Sequence, residues 1–197
     1  MVYISSGNRR MKIPTFSLPA EKTCPNATEL CKKFCYAKKA ERCWKNVLHS
    51  RNNNALESST KDFVYDMIKL IKKCKGKYFR IHESGDFYSQ EYLNKWFDII
   101  KQFPEKSFLA YTQMYYLDWS KKPKNLVIYW SVWADSIIED VPEGNKAYCI
   151  DNGKGILPEY EYNKKGFICK KGSKSNVTCD KCLYCFKGKG DVVFHVH

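Results

Sequence analysis

The sequence predicts an α/β fold in which a parallel sheet, either open or curved into a partial (β/α) barrel, is followed by a C-terminal cysteine-rich segment. Stretches of strand composition alternate with amphipathic helical stretches of a dozen or more residues, and connections of that length are what parallel neighbours require. Beyond residue 151 the composition shifts to Gly, Lys and Cys with little periodicity, leaving too little apolar surface to fold without a staple such as a metal cluster. The expected division is an α/β core over residues 1–150, with an N-terminal cysteine loop, and a cysteine-rich segment over 151–197 packed on it. With 197 residues, 44% hydrophobic and 15% aromatic, the chain suffices for one ordinary core.

Residues 1–23 read as loop, an early strand over 13–18, and loop, with Gly7, Pro14 and Pro19 as punctuation. Phe63, Val64, Met67, Ile68 and Ile71 recur at helical spacing, so a helix is predicted over 57–73, with Ser58, Ser59 or Thr60 as its N-cap and Gly76 as its stop. A strand over 77–83 ends at the turn Ser84-Gly85-Asp86. A second helix over 89–102 presents Tyr92, Leu93, Trp96, Phe97, Ile99 and Ile100 before Pro104. Strands over 107–112, 125–131 and 146–150 complete the core. Ligands of parallel sheets gather at strand C-termini, which places Ser84, Gly85, Asp86, Tyr111, Thr112 and Ser131 on one rim beside the first cysteines.

No stretch approaches the roughly 18 apolar residues of a membrane span, and the first ten residues lack the pattern of a secretory signal. A cytoplasmic location without membrane attachment is expected, and a reducing compartment directs ten cysteines toward metal ligation or redox chemistry rather than disulfides. The formal net charge is +13. Seven thiolates on two four-iron cores would leave roughly +10, so a basic excess survives and points to DNA or RNA as a partner, a solvated lysine-rich surface being the alternative.

Cys169 and Cys179 are followed at two-residue spacings by Cys182 and Cys185. Such a run can wrap one face of an iron–sulfur cubane, whereas zinc prefers two separated pairs, and we favour iron with zinc as the alternative. Cys24, Cys31 and Cys35 form a second set on the loop after the first strand. Three cysteines there can hold three irons of a [4Fe-4S] cluster and leave the fourth open. The competing reading closes the site with Cys43, Cys149, a histidine or a carboxylate. Cys74 reads as a buried small hydrophobe.

His82, Glu83 and Asp86 meet at a strand end, with Arg80 two residues before His82 and therefore on its face. The cluster suits acid–base catalysis or phosphate binding, or else a buried polar network holding the cysteine loop. Tyr115, Tyr116, Trp119, Tyr129, Trp130 and Trp133, among lysines, are either core or stacking platforms for bases. His195 and His197 alternate on a short terminal strand. No phosphate-binding glycine loop, zinc-protease helix motif or serine nucleophile elbow is present.

The segments Ile13-Pro14-x-Phe16-x-Leu18-Pro19-Ala20, Thr23-Cys24-Pro25, Cys31-x3-Cys35-Tyr36-Ala37 and Arg80-Ile81-His82-x-Ser84-Gly85-Asp86-Phe87-Tyr88-Ser89 resemble the phage gene product 88 family, as do Tyr111-Thr112 and the closing cysteine run. The resemblance covers nearly the whole chain and implies a phage or prophage setting, hence host cytoplasm and a possible host-protein partner. A more distant similarity is to radical S-adenosylmethionine enzymes. It implies a partial-barrel core in which Cys24, Cys31 and Cys35 hold a cluster and Gly85-Asp86 binds the amino group of S-adenosylmethionine, with Ser84, Tyr111 and Thr112 nearby. The cysteine spacing here is six then three residues where that superfamily has three then two, and Asp86 stands where glutamate is usual.

Overall fold

The computed structural model describes residues 1–150, 167–169 and 177–195. Its centre is a seven-stranded sheet, all parallel, made of β1 (Thr15–Phe16), β2 (Tyr78–Ile81), β3 (Ser107–Thr112), β4 (Leu126–Val132), β5 (Lys146–Ile150), β6 (Phe167–Ile168) and β7 (Val192–His195). The order is β1-β2-β3-β4-β5-β7-β6, so the first five strands lie side by side in chain order. Among the described residues β1 and β6 are the two edges of an open sheet. The expected α/β class and parallel sheet are observed.

Between β1 and β2 lie α1 (Glu29–Lys33), α2 (Tyr36–Cys43), α3 (Lys45–Ser58) and α4 (Phe63–Lys73), and α5 (Gln90–Lys101) joins β2 to β3. Strand alternation divides the sheet residues between two cores. Phe79, Ile81, Phe108, Ala110, Leu126, Ile128 and Trp130 pack against α4 and α5. Trp96 of α5 anchors this side, with ring centroids 5.4 Å from Phe16 and 6.0 Å from Phe63 in edge-to-face contact.

The opposite face carries Leu109, Tyr129, Ala147 and Val192 and is covered by Met11, Ile13 and Phe186. The C-terminal segment thus contributes strands and apolar side chains to the main sheet. A short helix, α6 (Cys179–Cys182), and a 3-10 turn at Cys185–Lys187 lie against it. Ser107 at the start of β3 donates to the Phe186 carbonyl at 3.3 Å, and Tyr129 donates to the Gly190 carbonyl at 2.9 Å. The tail therefore covers the N-terminal half of this face.

The helix expected over 57–73 is divided. Ser59 and Thr60 turn their hydroxyls back onto the carbonyls of Leu56 and Glu57, at 2.7 and 2.8 Å, and Lys95 reaches the carbonyls of residues 58 to 60. These hydroxyls end α3 instead of starting α4. The helix α3 carries no apolar stripe in the sequence because the face it buries is polar: Arg51, Asn54 and Ser58. Asn54 donates to the carbonyls of Tyr3 and Ser17, both at 2.9 Å. Arg51 pairs with Glu41 of α2 at 3.0 Å, and the same carboxylate oxygen accepts from the Ala20 amide at 2.8 Å.

That ion pair is nearly buried, with side chains 7% and 13% exposed. Removing one partner leaves the other charge without compensation, so Glu41→Ala is expected to cost about 3 kcal/mol in urea unfolding, while an exposed control such as Glu105→Ala changes stability little.

Candidate metal and ligand site at the strand ends

The C-terminal ends of β2 to β5 and of β7, on the face opposite α4 and α5, open into a cavity of about 470 Å³. Its wall includes Cys24, Cys31 and Cys35 from the N-terminal loop, Arg80, His82, Glu83, Ser84, Gly85 and Asp86 from the end of β2 and the turn after it, and Tyr111, Gln113, Ser131, Trp133, Cys149 and Phe194 from the other strands or the residues just past them. The three N-terminal cysteines and the Ser84-Gly85-Asp86 turn therefore meet in one place. That volume suits a small ligand.

The cysteine loop is positioned from two directions. The Leu18 amide donates to the Ser84 carbonyl at 2.9 Å, and the Asp86 amide donates to the Thr23 carbonyl at 3.0 Å. Between them Gly85 adopts φ +85°, and a Cβ there would lie 2.5 Å from Leu18 Cβ and 2.7 Å from Thr23 Oγ1, so only glycine allows the turn to approach the loop this closely. From the other side, Gln113 accepts from Asn26 at its backbone carbonyl and from the Thr28 amide at Oε1, the latter at 3.4 Å. Thr28 caps α1 by accepting from the Cys31 amide at 3.2 Å.

Asp86 joins these pieces. Its Oδ1 accepts from Thr112 Oγ1 at 2.6 Å and from the Phe87 amide at 2.7 Å, and Oδ2 accepts from the Gln113 amide at 2.9 Å. Burial pushes its carboxyl up to about 6, although all three hydrogen bonds favour the anion. Thr112 is 1% exposed and its hydroxyl is shared between Asp86 and the Met114 amide, so it acts behind the wall of the cavity.

His82 and Arg80 do not share a face. β2 ends at Ile81 and His82 has φ +60°, which breaks the strand alternation. The His82 ring turns into the aromatic core, 4.7 Å from Phe87 and 5.7 Å from Tyr92, and its Nε2 lies 2.8 Å from the Tyr92 hydroxyl. Arg80 stays on the cavity side, its guanidinium 4.1 Å above the Tyr111 ring and its Nε donating to the His82 carbonyl at 3.1 Å. Glu83 stands at the rim, its carboxylate accepting from Asn8 and its backbone carbonyl from the Tyr36 hydroxyl.

Burial pushes the thiols of Cys24, Cys31 and Cys149 up to about 12, so they are protonated wherever no cation draws them into ligation. In the tail, Cys169, Cys179 and Cys185 pack on the second core, and Cys182 is exposed. Burial raises Cys185 to about 11 while a hydrogen bond with Tyr111 opposes that rise. Tyr111 thus stands between the two cysteine sets. No three His, Cys, Asp or Glu side chains among the described residues are grouped to hold a single metal ion. The side chain of His195, and all of His197, lie outside the described residues. Of the six aromatics singled out as base platforms, Tyr129 and Trp130 are core, Tyr116 is exposed and Trp133 lines the cavity. Arg80, which the sequence marks as part of the polar cluster at the strand end, does line the cavity, whereas nothing local in the sequence marks Gln113.

Burial lowers the pKa of His82 from 6.5 to about 3. The unfolded chain therefore takes up a proton between those values that the folded protein refuses. This contribution is complete above pH 6.5 and is lost as pH falls toward 3, at up to about 1.4 kcal/mol per unit. Urea titrations from pH 8 to pH 4 should show this extra slope in the parent protein and its absence in His82→Phe.

A family model described as gene product 88 matches residues 4–188. The gene 88 protein of Mycobacterium phage D29 is 34% identical over 200 residues, covering 87% of this chain and 81% of that protein. The gene 88 protein of Mycobacterium phage L5 is 33% identical over 201 residues, with the same coverage of both chains. No solved structure matches the chain. A model match spanning nearly all of the chain, together with two relatives above 30% identity over most of both lengths, establishes that this protein belongs to the gene product 88 family.

Proposed function

We propose that this is a phage-type iron–sulfur protein that binds a [4Fe-4S] cluster through Cys24, Cys31 and Cys35 and holds a small molecule, S-adenosylmethionine in the leading version, in the adjoining cavity. The supporting observation is that these three cysteines line the same 470 Å³ space as the C-terminal ends of the parallel strands, where α/β proteins bind ligands. The donor chemistry fits the group: three thiols from one loop, held at fixed stations by Gln113 and the Ser84-Gly85-Asp86 turn. A four-iron core takes each thiolate on a separate iron. The run of β1 to β5 in chain order also suits a partial-barrel core like that of radical S-adenosylmethionine enzymes.

A cluster with one iron free of protein ligands supplies electron transfer and a coordination site for a ligand. The chain's own residues divide the remaining work. Ser84, Gly85 and Tyr111 form the wall a ligand meets, and Asp86 with Thr112 keeps the cysteine loop in register. Glu83, held by Asn8 at the rim, places a carboxylate beside the cavity, while the His82 ring is committed to the core. Cys169, Cys179, Cys182 and Cys185 are proposed as a second cluster site, with zinc as the alternative at either set.

Electron paramagnetic resonance of the reduced protein tests this reading. Adding S-adenosylmethionine should change the spectrum, and replacing Cys24, Cys31 and Cys35 together by alanine should abolish that change while leaving the signal of the second cluster. A loaded cluster whose spectrum does not respond would remove the S-adenosylmethionine version.

A second reading, a nucleic-acid-binding protein, draws on the net charge of +13 and on α2 and its junction with α3, where Tyr36 and Trp44 are 48% and 58% exposed and Lys39, Arg42 and Lys45 are exposed nearby in sequence. Its affinity for single-stranded DNA or RNA should fall steeply between 50 and 200 mM salt, and binding that ignores salt would count against it.

A further inference from the structure

Arg80 is a positive charge that no carboxylate among the described residues neutralises. Its Nε is engaged by the His82 carbonyl and its plane rests on Tyr111, yet none of the ion pairs among the described residues includes it. Glu83, three residues away in the same wall, is held by Asn8 instead. A guanidinium fixed by stacking and by one hydrogen bond retains donors in a planar fork, the geometry that matches a carboxylate or a phosphate. A second observation comes from Ser84, also in the cavity wall. Its residue is 4% exposed, and its hydroxyl has no hydrogen-bond partner among the described residues, a condition buried polar groups rarely tolerate without a missing partner. Around them the cavity is largely apolar, with Met11, Phe34, Trp133 and Phe194.

From this juxtaposition we infer that Arg80 and Ser84 form an oxyanion subsite, which takes the carboxylate or phosphate of a small ligand whose apolar body lies against Trp133 and Phe194. The inference rests on the cavity being a ligand site, as proposed above, and is independent of which metal the cysteines hold. Fixing Arg80 on Tyr111 before the ligand arrives removes the side-chain ordering cost that binding would otherwise carry. A role for Arg80 as counter-charge to bound thiolates makes a different prediction, because it requires no anion in the cavity.

Calorimetric titration of the full-length protein with benzoate, phenyl phosphate and the neutral benzamide separates these roles. At least one of the two anions should bind saturably and benzamide should not, and the preferred anion tells a carboxylate ligand from a phosphate one. Arg80→Gln should weaken binding by about tenfold to a hundredfold, the range of a charged hydrogen bond. Should Arg80→Gln unfold, Arg80→Lys keeps the charge, loses the fork and should still weaken binding several-fold, and Ser84→Ala should do so to a lesser degree. Binding of benzamide as tightly as benzoate, binding unaffected in the Arg80 variants, or no anion binding at all would each overturn the inference. Iron measured on the same samples keeps the two readings apart: full iron without anion binding sinks only the subsite, and anion binding without iron sinks only the cluster.

Discussion

Asp86 keeps a carboxylate in a nearly dry place, 6% exposed, with both oxygens bonded inside the protein. Those bonds run to its own turn and to the end of β3, and its backbone amide runs to the loop that carries Cys24. Three segments far apart in sequence are thereby fixed to one another at the rim where a ligand would bind. The price is desolvation, which lifts the carboxyl to about 6 and outweighs the hydrogen bonds that favour its charge. A buried anion of this kind gains little net stability; what it contributes here is geometry. Gly85 has the same effect by a steric route, since any side chain at that position would force the turn away from Leu18 and Thr23.

The two faces of the sheet are stabilised by different means. One is an aromatic core around Trp96, Phe16 and Phe63 under α4 and α5. The other is closed by the N-terminal residues and the cysteine-rich tail at its lower half and left open above, at the strand ends. The cavity thus lies on the face opposite the aromatic core. Arg80 and Tyr111, stacked on each other, form the boundary between the upper and lower cysteine sets.

Much of this was legible in the sequence. Five strands, the α5 helix and the meeting of the first cysteines with Ser84-Gly85-Asp86 follow from period, turn residues and the rule that parallel strands bind at their C-termini. What escaped has physical causes. The α3 helix buries Arg51, Asn54 and Ser58, so no apolar stripe announces it. The hydroxyls of Ser59 and Thr60 read as a helix start but serve as a stop, since a side chain can bond backward as readily as forward. His82 leaves the face its position implies because one residue adopts a left-handed conformation. The tail reads as poor in apolar residues, and the few it has, Phe186, Val192 and Val193, are buried where they join a core already present.

The central claim is that the two cysteine sets hold iron–sulfur clusters, and the most direct measurement is the iron, acid-labile sulfide and zinc content, with a visible spectrum, of protein purified without oxygen. The account predicts a brown protein with about four irons and as many sulfides per chain for each occupied set, about eight in all. Zinc bound without sulfide, in a colourless protein, would contradict it.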